Sequence, residues 1–123
     1  MNDTAATILV VDDDEFTAEL TGMILEMAGY ETVIAVGGMD ALEKIAAEPA
    51  IRMVVSDMNM PIIDGAQLFA ELREQGFKQP FVLLTGEEAA PLKLAHADMD
   101  EVLTKDEQLQ EILPELVERL LLG

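Results

Sequence analysis

Short apolar runs that do not alternate limit the folds open to this chain more than any other feature. Thr7 to Val11 (TILVV), Met53-Val54-Val55 and Phe81 to Leu84 are aliphatic or β-branched at nearly every position. A strand with one wet face alternates with period two, whereas an unbroken run of this length reads as a strand covered on both faces. The segments between the runs carry apolar residues at spacings of three and four, the stripe of a helix. Strand followed by helix, five times over, means parallel strands joined by right-handed crossovers, with helices on both sides of the sheet.

The pattern predicts strands at Thr7 to Val11, Glu31 to Val36, within Ile51 to Asp57, at Pro80 to Thr85 and at Glu101 to Thr104. A first helix is expected from about Glu15 to Ala28, with Phe16, Leu20, Met23, Ile24 and Met27 inward, one of Asp12 to Asp14 as its cap and Gly29 as its stop. A second runs from Met39 to Ala47, with Ala41, Leu42 and Ile45 inward, closed by Pro49. The third, Gly65 to Gln75, turns Leu68, Phe69 and Leu72 to the core. The fourth is short, Glu88 to His96, and tolerates Pro91 only because it lies in the first turn. The last ends at Leu122 and faces inward with Leu109, Ile112, Leu113, Leu116, Val117 and Leu120. Pro114 falls inside it and should remove one backbone hydrogen bond and bend or loosen its first turns. Phe16 and Tyr30 are expected to pack, the methionines to fill core, and His96 to lie at the surface.

A length of 123 residues fits one domain, 1–123. Seven basic residues stand against twenty-five acidic ones, a net charge of -18. With no basic stripe to release phosphate counterions, nucleic acid is not an expected partner, nor is an anionic membrane surface. The absence of Cys excludes thiolate metal sites and cysteine nucleophiles. Met1 to Thr4 carry an acid where an export signal needs bases, and no apolar run approaches the ~20 residues of a membrane span. A soluble, cytoplasmic protein is expected.

The strand ends carry the chemistry. The first strand delivers Asp12 and Asp13, the third Asp57, the fourth Thr85 and the fifth Lys105. In a parallel sheet these ends share one rim, the edge at which open α/β sheets bind ligands. Carboxylates brought this close repel by about 1–4 kcal/mol per pair at ~4 Å, depending on the local dielectric. A divalent cation relieves that repulsion, and oxygen-only ligands suit Mg²⁺ or Mn²⁺. A carboxylate beside such a cation, an ammonium and a hydroxyl can attack phosphorus while the developing oxyanions are neutralised. Each residue also has an ordinary role open to it: an aspartate as helix cap, Thr85 as donor to a backbone carbonyl, and Lys105 as a solvated base. The joint occurrence at four strand ends favours reversible aspartyl phosphorylation.

ILVVDDD (Ile8 to Asp14), VVSDMNMPIIDG (Val54 to Gly65), FVLLTG (Phe81 to Gly86) and EVLTK (Glu101 to Lys105) together resemble the receiver domains of two-component response regulators, over the whole chain. The resemblance implies the flavodoxin-like (βα)5 three-layer sandwich with a parallel sheet of order 2-1-3-4-5. It implies Asp57 as phosphoacceptor, Asp13 as a direct metal ligand, Asp12 holding metal-bound water, and the Asn59 backbone carbonyl as a further ligand. Thr85 and Lys105 would bind phosphoryl oxygens, and Gly86 would leave them room. Asn59 and Glu87 resemble the pair that tunes phosphate lifetime in chemotaxis-type members. The implied partners are a sensor histidine kinase or histidine phosphotransfer protein and a downstream protein, with a monomer or a weak phosphorylation-dependent dimer. The signal would pass through the face of the fourth strand and helix and the fifth strand and helix. Two positions depart from the family pattern. Val102 stands where an aromatic ring is usual, and Asp106 where proline follows the lysine, so a looser loop with Lys105 partly paired to Asp106 is expected. With no DNA-binding or enzymatic domain in these residues, output would go to a partner protein, or this is one domain of a longer chain.

Two other readings remain open. A haloacid-dehalogenase-type phosphatase would use Asp12-x-Asp14, Thr85 and Lys105, with Asp12 as nucleophile, but leaves Asp57 without a role. A receiver-like interaction module would bind partners without phosphorylation.

Overall fold

The computed structural model describes residues 6–122; the reading of Met1 to Thr4 as free of an export signal falls outside them. The elements follow in strict alternation: β1 (Thr7–Val11), α1 (Glu15–Met27), β2 (Glu31–Ala35), α2 (Gly38–Ala47), β3 (Ile51–Asp57), α3 (Gly65–Glu74), β4 (Phe81–Thr85), α4 (Ala89–Ala95), β5 (Glu101–Thr104) and α5 (Leu109–Leu122). The five strands form one parallel sheet of order β2-β1-β3-β4-β5, the flavodoxin-like arrangement.

Period two in the strands sorts the core into two halves. In β1, Ile8 and Val10 face the half built with Ala18 and Leu25 of α1 and Leu113, Leu116 and Val117 of α5. Leu9 and Val11 face the other half, built with Ala41 of α2 and Leu68, Phe69 and Leu72 of α3. The central strands are thus buried on both sides, which is why they read as unbroken apolar runs. The core is aliphatic except for Phe69 and Phe81, whose rings meet edge to face with centroids 5.2 Å apart.

The inner face of α1 differs from the one its large side chains suggest. Phe16, Leu20, Met23 and Met27 are exposed, Met27 at 87 %, while Ala18, Thr21, Gly22 and Leu25 are buried. The buried face is made mostly of small residues, so the helix lies close to β2: a Cβ on Gly22 would meet Ile34 Cδ1 and Thr32 Oγ1 at 3.5 Å. Periodicity follows the bulkiest apolar residues, and here those form a second stripe on the solvent side. Phe16 therefore does not pack, while Tyr30 lies against the α1–α5 half of the core. The methionines divide likewise, with Met53, Met60 and Met99 buried and Met23, Met27 and Met39 exposed. Ile112 of α5 is also exposed, at 40 %, unlike its neighbours Leu109, Leu113, Leu116 and Val117. The helix α5 continues through Pro114, and His96 is half-buried at the end of α4.

The two stripes of α1 give a direct test of packing. Leu25→Ala is expected to cost about 2–5 kcal/mol in urea unfolding, because it empties a filled core position. Met27→Ala should stay within ~0.5 kcal/mol, the range of surface substitutions. Equal losses would show that the outer stripe is packed.

Candidate functional site

Backbone bonds fix the rim before any side chain acts. The Asp12 N–H donates to the Ala35 carbonyl of β2 at 3.1 Å, the Met58 N–H to Leu84 of β4 at 2.8 Å, and the Lys105 N–H to Thr85 at 2.7 Å. Asp12 and Lys105 are thereby tied directly to the neighbouring strand, and Asp57 through Met58, the residue that follows it. Gly65 lets α3 begin directly beneath: a Cβ there would stand 2.5 Å from the Asp57 carbonyl oxygen and from Leu83 Cδ1. Any larger residue would push the β3–α3 turn off the rim.

The three consecutive aspartates separate by role. Asp14 caps α1, its carboxylate accepting the N–H groups of Phe16 and Thr17 at 3.0 and 3.4 Å. Asp12 is buried, and its Oδ1 accepts the Asp14 N–H at 3.0 Å. Asp13 is exposed. One carboxylate oxygen from each of Asp12, Asp13 and Asp57 falls within 4.8 Å of the others.

Lys105 enters this group from the far edge. Its Nζ is 2.7 Å from Asp57 Oδ1 and 3.6 Å from Asp12 Oδ2. Burial holds the Asp12 carboxyl above the usual carboxylate range; the Asp14 N–H and Lys105 oppose this, and Asp57 and Asp13 add to it. Burial pulls the Lys105 ammonium down, but its hydrogen bond to Asp57 and the charges of Asp57 and Asp12 outweigh that and raise it. Among the described residues, three carboxylates meet one ammonium at this rim, which leaves two negative charges and a metal-donor set made only of oxygens. That donor set and residual charge fit a hard divalent cation such as Mg²⁺.

Thr85 ends β4 almost completely buried, and its hydroxyl oxygen accepts the Glu87 N–H at 3.1 Å. Gly86 is open: a Cβ there would meet nothing within 4 Å. Asn59 and Glu87 line one cleft of about 520 Å³ with Met58, Thr85, Glu88, Pro91 and Leu92. In the turn that carries Asn59 toward α3, Ile62 has φ +73°, a left-handed conformation costly for a β-branched residue. The Ile63 N–H closes that turn on the Pro61 carbonyl at 2.8 Å.

Four of the expected site residues thus come together: Asp12, Asp13, Asp57 and Lys105. Val102 is buried in the core, outside the cluster. Asp106 does not pair with Lys105 as expected; its carboxylate accepts the Gln108 N–H at 3.0 Å and opens the turn into α5. Sequence reasoning missed Thr104, whose hydroxyl donates to the Glu87 carbonyl at 3.1 Å. Its place one residue before Lys105 was the only available signal.

The family model of the response regulator receiver domain matches residues 8–117. Response regulator MprA of Mycobacterium ulcerans (strain Agy99) is 35% identical over 108 residues, covering 86% of this chain and 46% of that protein. An uncharacterized transcriptional regulatory protein, YkoG of Bacillus subtilis (strain 168), is 31% identical over 108 residues, 86% of this chain and 47% of that one. The chain spans about half the length of the curated relatives it matches. Among solved structures, response regulator protein TrrA from Thermotoga maritima, in complex with Mg(2+)-BeF, superposes with TM-score 0.82 at 32% identity, over 93% of this chain and 97% of that one. Vibrio cholerae chemotaxis protein CheY4 gives TM-score 0.82 at 27% identity, over 95% and 99%. Among the described residues no helix is long and apolar enough to cross a membrane. The family match over nearly the whole fold agrees with the acidic pocket at its rim: this chain belongs to the response regulator receiver domains, the signalling domains of two-component systems.

Proposed function

We propose that the chain, as one receiver domain, accepts a phosphoryl group on Asp57. The observation that carries this reading is the Lys105 ammonium 2.7 Å from Asp57 Oδ1, within a carboxylate group that keeps two uncompensated charges. Asp13, Asp57 and the Asn59 carbonyl would hold Mg²⁺ or Mn²⁺, and Asp12 would act on it through water. When bound, the cation neutralises charge that builds on the phosphoryl oxygens. In transfer from a phosphohistidine, the N–P bond breaks as an Asp57 Oδ–P bond forms, and the imidazole leaves with the electron pair and takes up a proton. Lys105 and the Thr85 hydroxyl hold two of the phosphoryl oxygens, and Gly86 leaves them space. In hydrolysis, water reaches phosphorus along the cleft between Asn59 and Glu87 and releases orthophosphate, restoring the Asp57 carboxylate.

The donor is a sensor histidine kinase, a histidine phosphotransfer protein or a small phosphodonor, and the acyl phosphate alters the β4-α4-β5-α5 face for a downstream protein. A phosphatase using Asp12 as nucleophile fits less well, since Asp12 is engaged by the Asp14 N–H and is the farther carboxylate from Lys105. Buried Val102, with no ring to signal, is the observation that favours a module binding partners without phosphorylation.

The test is incubation with Mg²⁺ and phosphoramidate, followed by borohydride reduction and peptide mass mapping. A single acyl phosphate on Asp57 is expected. Label on Asp12 with turnover of aryl phosphates would point to the phosphatase, and no label to the interaction module.

A further inference from the structure

The α4 helix is weakly fastened. None of its residues is buried, its N-cap Glu88 makes no side-chain capping bond, and Leu94 is 85 % exposed. Ala89 and Leu92 rest on the core, and two polar ties run from β5 to the segment. Lys93 Nζ meets Glu101 Oε1 at 2.8 Å, and the Thr104 hydroxyl donates to the Glu87 carbonyl at 3.1 Å. Glu87 is therefore held at both ends of its backbone: its N–H donates to Thr85 Oγ1, and its carbonyl accepts from Thr104. Beneath it the frame is fixed, because Thr85 and Thr104 pair in register and the Lys105 N–H bonds the Thr85 carbonyl. What can shift is the short connection Gly86 to Glu88.

We propose that Thr104 is a positioning residue whose hydroxyl holds Glu87, and through it the Thr85 side chain and α4, in the resting arrangement. The proposal rests on the reading of Asp57 as phosphoacceptor. A hydroxyl has one proton and two lone pairs, so Thr85 can donate to a phosphoryl oxygen while still accepting from Glu87. The Glu87 N–H then follows the hydroxyl, and its carbonyl leaves Thr104. A charge-assisted bond to a phosphoryl oxygen is stronger than the neutral bond it displaces. With that tie gone, the polar tie left between β5 and α4 is the Lys93–Glu101 pair, beside the packing of Ala89 and Leu92 on the core. Val102 is buried and aliphatic, so the coupling from pocket to helix runs through the Glu87 backbone.

Thr104→Val removes the hydroxyl at constant shape. Its labelling by phosphoramidate at saturating Mg²⁺ should be roughly threefold to tenfold faster than wild type, the factor one neutral hydrogen bond is worth. Amide exchange in α4 of the unphosphorylated protein should also rise, and Thr104→Ser should restore both properties. Lys93→Met, an independent cut on the exposed side, should raise α4 exchange as well. A Thr104→Val rate at or below wild type, α4 exchange unchanged in both variants, or Thr104→Ser behaving like Thr104→Val overturns the proposal. A wild-type protein that takes no label overturns the phosphoacceptor reading itself and the proposal with it.

Discussion

Asp12→Asn is expected to raise the melting temperature of the metal-free protein by about 3–5 °C, the shift that ~1 kcal/mol makes in a domain of this size. The same change should weaken Mg²⁺ binding roughly tenfold or more, as loss of a residue holding a metal-bound water does. Asp12 is buried beside Asp57 and Asp13, and burial is the first reason its carboxyl lies above the usual range. A raised carboxyl means that folding is penalised where Asp12 ionises; the penalty is absent below the ordinary value of 3.8, grows as pH rises from there to the folded value and is complete above it. At neutral pH asparagine removes it, while its carbonyl oxygen can still accept the Asp14 N–H. Asp13→Asn should also weaken Mg²⁺ binding, but its exposed carboxylate is already solvated, so its stability gain should be smaller. Thermal unfolding by circular dichroism, with and without Mg²⁺, measures both effects. A lower melting temperature for metal-free Asp12→Asn would contradict the crowding of charge on which the site rests.

Lys105→Met should act in the opposite sense and more strongly. Among the described residues it removes the one ammonium paired with Asp57 and Asp12, leaving those two buried carboxylates without that counter-charge. Breaking a largely buried pair from one side costs up to about 3–5 kcal/mol; with the Lys105 side chain 25% exposed, a loss of ~1–3 kcal/mol is expected in urea unfolding. The Lys105 ammonium is raised above its ordinary value of 10.5, so the pair's contribution is fully present below that pH and is lost as pH rises through the folded value. At neutral pH the variant therefore forfeits all of it. Mg²⁺ should return part of the lost stability, since a ligand that binds only the folded state stabilises it by mass action. Labelling of Asp57 should slow by roughly a hundredfold or more, the usual loss when one preorganised charge on a developing oxyanion is removed. Wild-type labelling by Lys105→Met would remove the ammonium from the mechanism.

Much of the fold and site is legible in the sequence, for an identifiable reason. Strands buried on both faces leave unbroken apolar runs, and the polar residue that ends each run has nowhere to go but the rim, so Asp12, Asp57, Thr85 and Lys105 were marked by the pattern of β1, β3, β4 and β5. The resemblance assigns Asp12 and Asp13 to the metal, but periodicity alone does not say which of the three aspartates caps α1, because that depends on how the helix leaves the rim; the structure gives the cap to Asp14. The inner face of α1 was misread because close approach to β2 selects Ala18 and Gly22, which carry little hydrophobic signal. Thr104 was invisible for a different reason. Its partner is a backbone carbonyl in the β4–α4 connection, and no side-chain pattern announces an acceptor of that kind.

The most direct test of the central claim, that the carboxylate rim with Lys105 is built to receive a phosphoryl group on Asp57, is site-resolved NMR of the protein titrated with beryllofluoride and Mg²⁺. Saturable, Mg²⁺-dependent shifts at the amides of Asp57, Thr85, Glu87 and Lys105, lost in Asp57→Asn, are the predicted result. Spectra unchanged by both ligands together, or the same shifts in Asp57→Asn, would contradict it.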